Sequence, residues 1–253
     1  MRIAVRLENI VKSFLIAFIV LIMWQVFPTV GLVEQSILPP ITKVFKEFGV
    51  VLGNGSLYTH ILVSVKRSVM GLGFAMVIGL PLGIVVGYFS KFAEYMLPVI
   101  NFCRQIPALA LFPVFLLFFG IGEVSKVSIV LWVSIWPLLV NTISGVSQVD
   151  PMLCKVAKSM GEKDMRILFN VVLPASIPSI MTGLRLSAAS SIVALVSAEM
   201  VGAKSGLGFL IVNSQYNFQI PRMYVAILTI AVIGIITNLV LEKIQKRLVF
   251  WAV

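Results

Sequence analysis

Residues 68–89 read SVMGLGFAMVIGLPLGIVVGYF, twenty-two positions without a charge. A stretch of about 20 apolar residues crosses the hydrocarbon of a bilayer as a helix, because every backbone hydrogen bond is then made within the segment. This run therefore reads as a membrane span. Gly71, Ala75, Gly79, Gly83 and Gly87 recur within it at every fourth position. That spacing puts all five on one stripe, against which another helix packs closely. Pro81 inside the stripe predicts a local kink.

Working outward, similar apolar runs occupy 11–27, 97–119, 127–145, 175–200 and 223–241, so six spans are expected. The whole chain agrees: of its 253 residues 59% are hydrophobic and 12% charged, against about 45–50% and about 25% in soluble domains. A soluble all-α protein is excluded on that ground, since no single core absorbs so much apolar surface. The formal net charge of +10 comes from basic residues scattered near span ends, not from a nucleic-acid-binding face. Cys103 and Cys154 have neither metal-ligand spacing nor a predicted disulfide.

An even number of spans puts both termini on one side. Arg2, Arg6, Lys12, Lys91, Lys155, Lys158, Lys163, Arg166, Lys243, Lys246 and Arg247 fall on that side, together with the 146–173 loop. This mild excess assigns it to the cytoplasm, although Lys66 and Arg67 at the outer start of the second span work against it. The basic N-terminus and the apolar run from Ser13 to Phe27 resemble a signal peptide, but no small-x-small cleavage site follows, so the segment is expected to be retained.

Two regions are expected: residues 1–55, an N-terminal span plus a short amphipathic helix, and residues 56–253, a core carrying a loop at 150–174. In the amphipathic helix Ile41, Val44, Phe45, Phe48 and Leu52 share a face opposite Thr42, Lys43, Lys46 and Glu47. It either lies on the membrane surface or packs on the protein's own loops. The fifth span is rich in small residues, with Gly183, Ser187 and Ser191 four apart, and reads as central and surrounded by protein.

Pro151 to Pro174 is too long and too charged for a turn. Met152, Val156, Ala157 and Met160 share one face of a short helix, Gly161 can end it in a left-handed cap, and a second short helix can run to Leu173-Pro174. Two such helices meeting at a glycine form a stiff projection.

The segment Lys155-Val156-Ala157-Lys158-Ser159-Met160-Gly161, followed at a fixed distance by Leu173-Pro174, resembles the EAA loop of binding-protein-dependent ABC permeases. Lys155 stands where that family usually has glutamate and Val156 where it usually has alanine. Residues 102–122, with Ile106-Pro107, Ala110, Pro113 and Phe119-Gly120-Ile121-Gly122 followed by Glu123, are similar to permeases that import nitrate, taurine and alkanesulfonates. Gly183-Leu184-Arg185, Ala198-Glu199-Met200 and Ser205-Gly206-Leu207-Gly208 continue the similarity.

The resemblance implies an all-α membrane protein of six transmembrane helices with the type I ABC importer permease (MetI-like) fold. It implies a multi-pass subunit of the inner membrane that pairs with a second copy and receives a small anion from an extracytoplasmic binding protein. The coupling helix between spans four and five would seat in a pair of cytoplasmic ATPases. No G-x-x-x-x-G-K-[ST] occurs, and Gly202-Ala203-Lys204-Ser205 lacks the Gly-Lys pair. The chain is therefore expected to be no enzyme and to bind no cofactor, the ATP and Mg belonging to the partner ATPase.

Candidates for the path are the polar residues within or beside spans: Asn101, Arg104, Gln105, Arg185, Ser187, Ser190, Ser191 and Glu199. Arg104 and Arg185 either attract an anion or reach toward headgroups or carboxylates. Glu199 either braces the loop after it or faces the binding protein. Trp132 and Trp136 read as packing or gate residues. A membrane-embedded enzyme lacks its nucleophile, base or metal set. An ion-driven secondary transporter would rest on Glu199, the single acidic candidate within a span.

Overall fold

A computed structural model of the chain describes residues 2–249, with side chains from 15 onward except 17. The side chains of Arg2, Arg6 and Lys12 and the tail of the 56–253 region lie outside those residues. Eleven α-helices follow in order: α1 (Arg2–Thr29), α2 (Ile41–Gly53), α3 (Ser56–Tyr88), α4 (Ser90–Cys103), α5 (Ala108–Phe119), α6 (Glu123–Ser147), α7 (Pro151–Ser159), α8 (Asp164–Ile167), α9 (Leu173–Met200), α10 (Leu207–Tyr216) and α11 (Ile220–Leu248). A π-helical stretch, Leu168–Val172, joins α8 to α9. Among the described residues there is no strand.

The centre of the fold is α6, lying between α3 and α9. Glycines make both contacts possible. A Cβ placed on Gly83 would come 2.7 Å from Cβ of Thr142, and one on Gly87 would come 2.8 Å from Cβ of Val146. The stripe read from the sequence is thus the face that α3 presents to α6. On the other side of α6, a Cβ on Gly145 would meet Ser179 at 2.7 Å and one on Gly183 would meet Asn141 at 2.7 Å. Hydroxyls tie the same seam: Ser187 Oγ donates to the Ser134 carbonyl at 2.6 Å and Ser179 Oγ to that of Asn141 at 2.7 Å. Close backbone approach with hydroxyl-to-carbonyl bonds is how helices associate where lipid removes the hydrophobic drive between them.

Among the described residues four helices are long and apolar enough to cross a membrane: α3, α6, the continuous Asp164–Met200 and α11. The run 97–119, expected as one span, is instead two helices, α4 and α5, bent by 90°. Pro107 causes the break. It has no N–H to give to a helix, and it pushes Ile106 out of the α region. Counted together, α4 and α5 raise the number of spans to five. Within α1 the apolar stretch Phe18–Thr29 is shorter than a span, and the expected 11–27 segment falls partly on side chains outside the description.

Two further expectations need correction. Leu173-Pro174 does not close a separate short helix, because the chain runs helically from Asp164 through Pro174 to Met200. The wider π-turns just before Pro174 absorb its missing donor. In α2 the buried face is Val44 and Val51, packed with Leu57, Leu207, Leu210, Val225 and Ala226, whereas Phe45 and Leu52 are exposed. Thus α2 packs on the protein itself, held by Arg222 against Glu47 at 2.8 Å.

Candidate functional site

The projection at α7 is built from its ends. Pro151 opens the helix, and Asp150 Oδ1 accepts the Met152 N–H at 2.8 Å as an N-cap. At the far end Gly161 adopts φ +84°. The Glu162 N–H donates to the Ala157 carbonyl and that of Gly161 to Lys158, the paired closure that a left-handed residue after a helix permits. The cap expected from the sequence is therefore present.

Underneath, Ala157 packs with Val146, Ile167, Leu168 and Val172. Lys158 pairs with Asp164 at 2.9 Å, and the Tyr88 hydroxyl donates to the Asp164 carbonyl at 3.1 Å. The hydrogen bond to Asp164 raises the Lys158 pKa above its ordinary value. Fixed from below, α7 leaves Met152, Leu153, Val156 and Met160 exposed, Met160 by 79%.

At the opposite end of α9 lies a buried ionic cluster. Glu199 is 1% exposed and Arg67 3%. Arg67 Nη1 donates to Glu199 Oε1 and to the Ser205 carbonyl, both at 2.8 Å, while its Nε donates to Glu123 at 2.6 Å. Glu199 also accepts from Ser64 Oγ and from the Gly208 N–H at 2.9 Å. Ser64 Oγ in turn accepts the Leu207 N–H, and His60 Nδ1 accepts that of Gly206. The cluster ties α3, α6, α9 and the start of α10, and every polar group of Glu199 finds a donor, as burial of a carboxylate demands.

The Ser205-Gly206-Leu207-Gly208 turn now has a physical reason. Gly206 has φ +118°, and a Cβ there would run into the Glu199 carboxylate; one on Gly208 would strike the Val196 carbonyl.

Two clefts flank the break between α4 and α5. One, of about 440 Å³, is lined by Arg104, Gln105, Trp136, Pro137, Asn141 and Leu186 among others. The second, of about 500 Å³, has Pro107, Leu109, Val133, Ser190, Val193 and Ser197 in its walls. Both open along the same stripes of α6 and α9.

The expected path residues accordingly separate. Arg104 and Gln105 share the first cleft, Gln105 donating to the Asn101 carbonyl one turn earlier, and Ser190 lines the second. Ser187 and Ser191 are buried in helix contacts, Ser191 pairing with Ser68 at 2.9 Å. Arg185 points to α11, where it donates to Asn238 at 3.0 Å and Gln245 at 3.2 Å. Glu199 belongs to the ionic cluster. Trp132 and Trp136 pack edge to face, centroids 5.0 Å apart.

Residues 79–250 match the family described as the binding-protein-dependent transport system inner membrane component. The chain belongs to that family. It is 30% identical over 95% of its length to a Bacillus subtilis protein named as the aliphatic sulfonates transport permease SsuC, covering 87% of that protein. To the taurine transport system permease TauC of Escherichia coli it is 29% identical over 92% of its length and 86% of that protein. Its backbone superposes on an inward-facing structure of the MetNI methionine ABC transporter with a TM-score of 0.69, at 17% identity, covering 76% of this chain and 95% of that one. The fold is therefore MetI-like, and the chain is an ABC importer permease of the nitrate, taurine and alkanesulfonate type, a family of non-catalytic membrane subunits.

The permease holds a buried cluster whose members the sequence does not bring together. Sequence alone marks Arg67 as a charge at a helix end and gives His60, Ser64 and Glu123 no joint role. The available signal was the rule that an ionisable group inside an apolar helix needs a named partner; Glu199 was the carboxylate left to meet it.

Proposed function

We propose that this permease forms the transmembrane path of an ATP-driven importer for a small anion of the sulfonate class, delivered by an extracytoplasmic binding protein. Both termini and α7 face the cytoplasm of an inner membrane in this reading. The path runs between two copies of the chain, and ATP is hydrolysed by two separate ATPase subunits. Lys155, Val156, Ala157, Lys158, Ser159, Met160 and Gly161, backed by Leu173 and Pro174, make the coupling surface. Arg104, Gln105 and Ser190 face the solute, Asn101 supports Gln105, and Arg185, Ser187, Ser191 and Glu199 hold the wall behind them.

The observation that carries the reading is the exposed apolar face of α7 on a rigid base. A helix anchored by Ala157 and capped at both ends transmits displacement, whereas its outward methionines have nothing to cover them among the described residues. A cleft on a soluble partner supplies that cover. Coupling follows if ATP binds one arrangement of the partners more tightly than the other, since a ligand with equal affinity for both shifts nothing.

The experiment is ATP-driven uptake of an alkanesulfonate into vesicles, with co-purification of the ATPase. Gly161→Val, which forces a β-branched residue into positive φ, and Met160→Glu, which charges the apolar face, are both expected to abolish uptake and reduce co-purification. Uptake that persists without ATP and follows an imposed ion gradient would overturn the reading in favour of a secondary transporter.

A further inference from the structure

The cleft on the loop side of the α4–α5 break is chemically one-sided. Its polar wall consists of the Arg104 guanidinium and the Gln105 and Asn141 amides, beside the Trp136 ring. No aspartate or glutamate lines it, and among the described residues Arg104 has no carboxylate partner. Arg185, the other arginine at this depth of sequence, is turned away toward Asn238 and Gln245.

Donors predominate. Gln105 Nε2 donates to the Asn101 carbonyl and Asn141 Nδ2 to that of Pro137, each leaving a second hydrogen. The rest of the wall, Pro137, Val140 and Leu186, is apolar.

We infer that this cleft is a selectivity subsite of the permease for an oxyanion carried on an apolar tail, with Arg104 as its charge, Gln105 and Asn141 as its orienting donors and the Trp136 ring in its wall. A planar or tetrahedral oxyanion suits a guanidinium fork flanked by amides. The tail lies on Pro137, Val140 and Leu186. A tail ending in an ammonium meets no carboxylate there and remains unpaired, so an alkanesulfonate is preferred to its amino-substituted analogue. The inference rests on the reading of this chain as the solute path.

The break is what creates the subsite. A straight helix through 97–119 would carry Arg104 and Pro107 along one rod. The 90° bend turns the chain at Arg104 and lets α6 and α9 form the floor.

Trp136 makes the subsite its own reporter. In the permease–ATPase complex with Trp24, Trp132 and Trp251 replaced by phenylalanine, indole emission is quenched with iodide, caesium and acrylamide. Iodide is expected to quench out of proportion to caesium, because a cleft of one sign concentrates counter-ions by about tenfold or more. Arg104→Gln lowers iodide quenching by about threefold or more, Arg104→Lys retains most of it, and Gln105→Glu inverts the iodide-to-caesium preference. Acrylamide quenching, which is blind to charge, reports whether each variant keeps its fold.

Ethanesulfonate competes with iodide, and taurine does so about tenfold less well. Equal quenching by the two ions, no effect of Arg104→Gln at unchanged acrylamide quenching, or equal competition by taurine would overturn the subsite. A phosphodiester headgroup offers the same oxyanion and tail. Displacement of iodide by added phosphatidylglycerol but not by ethanesulfonate would assign the cleft to lipid and overturn it as well. Quenching needs no transport, so failure of ATP-driven uptake and failure of the subsite are read separately.

Discussion

Arg67 on α3 and Glu199 on α9, 132 positions apart, meet at 2.8 Å in an ion pair that is closed to solvent on both sides. The same guanidinium also holds Glu123, whose side chain is 66% exposed. The two carboxylates are therefore unequal in what they do for the fold.

Arg67→Ala leaves Glu199 buried with neutral donors only, and is expected to cost about 3–5 kcal/mol. Glu123→Ala removes the water-facing arm and is expected to cost about 1 kcal/mol or less. Thermal melting of the purified permease in detergent ranks the two. Equal losses would contradict the assignment of Glu199 as the buried partner.

Gly83→Ala drives a methyl into Thr142 across the α3–α6 seam, and the expected loss is about 1–3 kcal/mol. Gly73 lies on the same helix with nothing within 4 Å of an added Cβ. Gly73→Ala should be neutral or stabilising by about 0.5–1 kcal/mol. The pair of melting curves separates close packing from helix propensity.

At Gly206 and Gly55 the backbone has positive φ, but only at Gly206 is the space already taken, by the Glu199 carboxylate. Gly55→Ala is expected to cost the conformational strain alone, about 1–2 kcal/mol. Gly206→Ala adds displacement of a buried carboxylate and should cost clearly more, or prevent accumulation of folded protein. Expression yield with size-exclusion profiles decides between the two.

Arg185 bonds to neutral amides on α11. Arg185→Ala is expected to lower stability by about 1–3 kcal/mol and to leave the KM for alkanesulfonate uptake unchanged. Arg104→Gln, in contrast, should raise that KM. A matching rise in the Arg185 variant would show that both arginines meet the solute.

What the sequence made legible was local or periodic. Glycines four apart define a stripe whatever packs on it, and α6 was found there. Asp150, Pro151 and Gly161 specify their helix ends through contacts two to five residues long. The α4–α5 bend is not legible in hydropathy, which counts 97–119 as one apolar run, whereas the helix ends at Cys103 and restarts after Pro107. The ionic cluster is only partly legible: Glu199 stands out as the single acidic residue within a span, but Ser64, Arg67 and Glu123 lie 76 to 135 positions away and only the fold brings them to it. In α2 the amphipathic face was legible, but its exact setting was decided by which residues α10 and α11 could cover, so Val51 displaced Phe45 and Leu52 from the inside.

The helix from Asp164 to Met200 spans 37 residues without a break, about 55 Å at the usual rise, well beyond the hydrocarbon thickness. Such a strut acts as a lever. Pivoting near its middle, where Gly183 and Ser187 grip α6, it converts a tilt of about 5° into a travel of roughly 2–3 Å at each tip. One tip carries the Asp164 anchor of α7 and the other carries Glu199, so a push on the proposed coupling surface would reach the far tip as strain on a salt bridge.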